Sequence, residues 1–129
     1  MEKLTTEQVN SHVESIAKNG YSIMENAIDQ EFLLEICDEL ARLEEVRPGG
    51  DIPPGPFTGF VTRRWCDVLN DGEVWQRVAT HPRILQVMEG VLGEGFLLST
   101  MGSAVVGDGE EVQPRSASTP LLLHRPYCV

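Results

Sequence analysis

Three histidines, three cysteines and one adjacent arginine pair are the side chains of this 129-residue chain whose types could do chemistry. A metal site needs His, Cys or carboxylate groups clustered at ligand spacing. His12, His81 and His124 are far apart. His12 falls near the polar side of a predicted first helix and is expected to be exposed. His81 precedes Pro82 at a predicted helix start, where a capping or loop role is expected. His124 alone lies beside a possible strand. Cys37, Cys66 and Cys128 show no CxxC spacing. An odd count without pairing motifs points to a reducing compartment and against a disulfide framework. Cys37 sits in a helical apolar stripe and is expected to pack in the core. Arg63 and Arg64 could grip an anion. Neighbours on a strand point to opposite faces, however, so one of the pair is expected to be a surface charge. There is no P-loop, GxGxxG, GxSxG or HExxH motif.

The elements that must position these residues can be read from local signals. Thr5 to Gln8 is a capping-box pattern, Val9, Val13, Ile16 and Ala17 follow at helical spacing, and Gly20 is a natural stop. Tyr21 to Met24 reads as a short strand. Asp29 can cap a second helix with one apolar face of Phe32, Leu33, Ile36, Cys37, Leu40 and Leu43. That helix must end before "RPGGDIPPGP", a loop or, less simply, a linker. Phe57 to Trp65 can be a short strand or extended segment. Glu73 to Ala79 reads as a short helix. A longer one follows from Pro82, with Ile84, Leu85, Val87, Met88, Val91 and Leu92 as its buried side. "GFLLSTMGSAVVG", residues 95–107, is a strand candidate. The expected class is α+β, with helices first and a sheet that begins late.

Charge narrows the partners. The formal net charge is −10, and before Arg47 there are eleven acidic residues against three basic ones. Nucleic-acid backbones and anionic membranes both require a basic face, so neither is expected as a partner. The first twenty residues have no apolar core of a signal peptide. No apolar run approaches the roughly 20 residues of a membrane helix. A cytoplasmic protein is expected.

The segment "TRRWCDVLNDGEVWQRVATHPRILQVMEGVLGEGFLLSTMGSAVVGDGEEVQP" resembles the N-terminal half of the phytanoyl-CoA dioxygenase family. Its most telling piece is "HPRILQVMEGVLGEGFLLST", and the earlier "NGYSIMENAIDQEFLLEICDEL" resembles the family's opening strand and acid-capped helix. The resemblance spans about residues 7–114. It implies an incomplete double-stranded β-helix (jelly-roll or cupin-like), of which residues 1–114 hold the N-terminal helices and first strands. It implies residues 115–129 to be a divergent tail. Intact members use Fe(II) and 2-oxoglutarate to hydroxylate small organic substrates, here expected to be apolar. Their iron sits on a strand-borne His-x-Asp pair and a distal His, with an Arg on the far carboxylate of 2-oxoglutarate.

Those ligands do not transfer to this sequence. After Gln113-Pro114 the chain continues "RSASTPLLLHRPYCV", without Asp or Glu. The nearest imitation, His124-Arg125-Pro126, places proline where the carboxylate belongs. No catalytic and no metal-ligating residue is carried over, and neither iron nor 2-oxoglutarate is expected to bind. Gln113 alone is carried over as a cofactor-binding position, because a Gln just before the first iron His contacts 2-oxoglutarate in some members. An ordinary polar role for it stands beside that reading.

Three expectations follow. The chain is an inactive fragment of a 2-oxoglutarate-dependent dioxygenase, its end changed by frameshift, splicing or gene-model error. Alternatively it is a non-catalytic binding or regulatory protein that self-associates, or pairs with an intact homologue, through exposed strand edges. Or it is a small helical interaction domain with no strand over residues 95–106.

Overall fold

The computed structural model describes residues 3–111. Gln113, His124, Cys128 and the expected boundary at residue 114 lie outside the described residues. The elements in chain order are α1 (Thr6–Asn19), α2 (Gln30–Val46), β1 (Arg63–Trp65), a 3-10 turn (Val68–Asn70), α3 (Glu73–Ala79), α4 (Pro82–Leu92) and β2 (Ser103–Val105). The class is α+β. The chain divides into two compact units, residues 3–38 with 72–99, and residues 39–71 with 100–111.

The first unit is helical. The α1 start is the expected capping box: the Gln8 amide donates to Thr5 Oγ1 at 3.3 Å, and the Thr5 amide donates to Gln8 Oε1 at 2.9 Å. Gly20 ends the helix in the left-handed conformation, at φ 82°. Asp29 caps α2, accepting the Phe32 amide on Oδ1 at 2.8 Å. Helix α1 packs on α4. Gln86 of α4 fixes the approach by accepting the Leu4 amide at 2.9 Å and donating to the Leu4 carbonyl at 3.2 Å. Gly90 permits it, because a Cβ there would lie 2.7 Å from Val13 Cγ2. Phe32, Trp75, Val87 and His81 are the buried residues of this unit. Arg77 of α3 pairs with Glu35 and lays its guanidinium 4.4 Å from the Phe32 ring centroid, a cation–π contact that joins α3 to α2.

The second unit carries the sheet. Strands β1 and β2 are antiparallel, with Arg63 opposite Val105, Arg64 opposite Ala104 and Trp65 opposite Ser103. Its buried residues are Leu43, Gly59, Thr62, Trp65 and Val68.

Several expectations need correction. Residues 21–24 are not a strand, and within 57–65 and 95–107 only 63–65 and 103–105 are. A strand exists only where a partner accepts its hydrogen bonds, and alternation of residue types does not supply that partner. The presence of β2 removes the purely helical reading. Cys37 is exposed, not in the core. Of the α2 face only Phe32 and Leu43 are fully buried, and of the α4 face only Val87. Periodicity finds an apolar stripe, but burial requires a neighbouring element to cover it.

Candidate functional site

The residues that could do chemistry are dispersed. His12 and His81 both belong to the helical unit, whereas β1 and β2 belong to the other. His12 is half-buried, not exposed, with Nδ1 2.7 Å from Ser22 Oγ. His81 is buried at the N-cap of α4, which agrees with its expected position. Arg63 and Arg64 have different partners, as strand alternation requires. Arg63 lies 3.3 Å from Glu44, and Arg64 Nε donates to the Thr58 carbonyl at 3.0 Å. Neither arginine is set up with the other as an anion clamp. Among the described residues no three His, Cys, Asp or Glu side chains converge as metal ligands.

Sequence reading missed the best-organised polar feature of the strand-bearing unit. Glu110 follows the turn after β2 and reaches back to residues 60–62. Its Oε1 accepts the Phe60 amide at 2.8 Å, and its Oε2 accepts the Val61 amide at 2.9 Å and the Thr62 hydroxyl at 2.7 Å. The carboxylate thus satisfies two loop amides that have no strand partner. No local signal could have found a contact between residues fifty positions apart. The Thr62 hydroxyl, then the Phe60 and Val61 amides, hold the Glu110 carboxyl well below its ordinary 4.5, at about 2.

A depressed folded-state value means the tie stabilises fully above about 4.5 and fades as pH falls toward 2. Glu110→Gln removes the charge while keeping the shape. The urea midpoint of the parent should exceed that of Glu110→Gln at neutral pH. The gap should close as pH drops from about 5 to about 2.5. A gap that stayed constant over that range would mean the ionised carboxylate makes no special contribution.

The second feature is the sheet's unequal edges. Arg64 turns its carbonyl away from β2 and accepts the Asp51 amide at 2.7 Å, and Gly50 bridges to Arg64 in parallel sense. The loop at 47–51 is further secured by Asp51 Oδ2, which accepts the Cys66 amide and Arg47 Nη1, each at 2.8 Å. One edge of β1 is therefore covered. Backbone groups of one residue in an antiparallel strand point to the same side, and the side alternates. Because Arg64 faces the 50–51 segment, its opposite number Ala104 directs N–H and C=O to the outer edge of β2. No described residue pairs there. Ala104 is exposed, and Phe57, Phe60, Val61 and Val106 are exposed apolar residues in the segments flanking the two strands. Exposed backbone donors and acceptors beside apolar side chains are the chemistry of strand addition.

No helix among the described residues is long and apolar enough to cross a membrane. The chain matches no protein-family model, no curated protein and no solved structure.

Proposed function

We propose that this chain is the opening part of a phytanoyl-CoA dioxygenase-like double-stranded β-helix and is not itself a catalyst. The order of elements supports the reading: a capped helix pair, a strand, the helix opened by His81-Pro82, then a strand that pairs antiparallel with the first. Fe(II), which the resemblance implies, finds no fitting donor set among the described residues. His12 and His81 are helix-associated, and neither begins a strand-borne His-x-Asp pair. The test is to read the genomic locus and transcript across codons 105–129 in all three frames. Another frame continuing from Pro114 into a His-x-Asp pair, with a later His and Arg, is the expected result. Genomic and transcript reads that both retain the present residues 115–129, with no such motif in another frame, would overturn the fragment reading.

The open edge of β2 favours a second reading: the protein acts by accepting a strand, from another copy or from an intact homologue. Ala104→Pro isolates this function. Its N–H faces the outer edge, so proline there deletes a donor for an incoming strand without removing a bond to β1. In analytical ultracentrifugation the parent chain should self-associate and Ala104→Pro should sediment as a monomer. Equal self-association of the two proteins, or a monomeric parent that captures no homologue, removes the reading.

A further inference from the structure

The alternation that turns Ala104 outward extends along the chain on both sides of it. The Met101 carbonyl accepts the Val68 amide at 3.2 Å, so residue 101 directs its backbone inward, as 103 and 105 do. Gly102, Ala104 and Val106 then face the open edge. All three are exposed, and none has a backbone partner on that side among the described residues. Resting on the reading that β2 accepts a strand, we infer that the strand is β2 of a second copy, antiparallel and centred on Ala104. The product is one four-stranded sheet across a two-fold axis.

Three outward residues centred on 104 are self-complementary. Ala104 meets Ala104 and exchanges both backbone bonds, and Gly102 meets Val106 at each end. A Cβ at residue 102 would lie 3.0 Å from the Trp65 carbonyl, so β1 leaves little room for a side chain there. The bare glycine in turn leaves space for Val106 of the second copy. That valine, 68% exposed, gains Ala104 as its diagonal neighbour. Charge favours a copy at this edge and sets its direction. A chain of −10 repels its own copies over most of its surface, but residues 95–107 are its longest run without a charged side chain. Proteins that keep an edge from pairing place charges on it. Antiparallel pairing about Ala104 sets Asp108 against Thr100, whereas parallel pairing of two copies would set Asp108 against Asp108. A two-stranded sheet is also marginal by itself, and four strands meet the usual requirement for independent stability.

Ala104→Lys and Ala104→Glu test the self-pairing, because residue 104 opposes itself. Ultracentrifugation of the parent chain should show a monomer–dimer equilibrium that stops at two copies. Each variant alone sets like charges opposite one another and should weaken the dimer about tenfold or more. Arg64 lies across from residue 104 on β1, so it adds to the lysine repulsion and offsets part of the glutamate repulsion. An equimolar mixture of the two variants should dimerise within about threefold of the parent, through Lys–Glu pairs. Residue 104 is exposed, so neither substitution buries a charge in the monomer. A second measurement needs no substitution. Between isotope-labelled and unlabelled parent copies, a filtered NOE should join Ser103 Hα to Val105 Hα, the non-hydrogen-bonded pair of this register. A monomeric parent, a cross-copy NOE from Ser103 to Ser103, or a mixture that dimerises no better than its components would each overturn the inference. Ala104→Pro separates that failure from failure of the underlying reading: if it abolishes association while the mixture shows no rescue, β2 accepts a strand but not in this symmetric register.

Discussion

Trp65→Ala is expected to unfold the strand-bearing unit. Trp65 is 1% exposed, the largest of the fully buried side chains, and its Nε1 donates to the Arg47 carbonyl at 3.1 Å. That bond ties β1 to the end of α2, while the ring fills the core with Leu43 and Val68. Truncating a buried tryptophan typically costs about 3–5 kcal/mol. Whole small domains have only about 5–15 kcal/mol of stability. A unit with so few buried side chains stands at the low end of that range, so the substitution removes most of what holds it. Hydrogen exchange read by mass spectrometry should show the amides of residues 39–71 and 100–111 losing protection. Trp65→Phe keeps an aromatic ring and deletes the indole bond, so its loss should be nearer 1–2 kcal/mol. If Trp65→Ala leaves the strand amides protected, the core of this unit is not where the buried side chains place it.

The features legible in the sequence are those encoded within a few residues. Thr5 and Gln8 specify their own capping box, Asp29 caps α2, and α3 and α4 span the residues read for them. Each depends on contacts one helical turn apart, so spacing is sufficient. The rest depends on partners distant in the chain. Residues 57–62 and 95–102 have strand-like composition but do not lie in β1 or β2. The amides of Phe60 and Val61 bond to Glu110 instead of to a neighbouring strand. Leu97 has a strand-former's side chain and is 90% exposed. Nothing in its neighbours' identity says whether a second layer covers it. An exposed strand edge was expected from the incomplete sheet, but that it is the edge of β2 was illegible for the same reason. Which groups of Ala104 face outward follows only from the register with Arg64 and from the Asp51 amide on the far side of β1. Alternation places Arg63 and Arg64 on opposite faces, but both are half-buried, and their partners, Glu44 and the Thr58 carbonyl, follow only from the fold.

Gly50→Ala should do more harm than any exposed loop substitution of its size. Gly50 has φ +83°, a conformation that costs a residue with a Cβ roughly 1–2 kcal/mol. A Cβ would also sit 2.5 Å from the Arg64 carbonyl oxygen and 2.8 Å from its nitrogen. Both obstacles are backbone atoms of β1, so neither can rotate aside. The loop must lift, and the Asp51 amide then loses the Arg64 carbonyl. Gly49 supplies the internal control, with φ +79° and open space around its would-be Cβ. Gly49→Ala meets only the conformational cost. Gly50→Ala should therefore lose at least about 2 kcal/mol more in denaturant unfolding, since a backbone clash and a broken bridge are added to similar strain. Its Asp51 amide should also exchange rapidly, while that of Gly49→Ala stays protected. Equal destabilisation with both amides protected would show that Gly50 does not lie against β1. The consequence reaches the proposed function, because the 47–51 loop is what covers one edge of the two-stranded sheet while the β2 edge stands open. Uncovering β1 gives the sheet two accepting edges. A single open edge can stop at a pair, whereas two allow strands to add without limit. Gly50→Ala should thus turn limited association into aggregation, and adding Ala104→Pro should return it to limited association by closing the other edge.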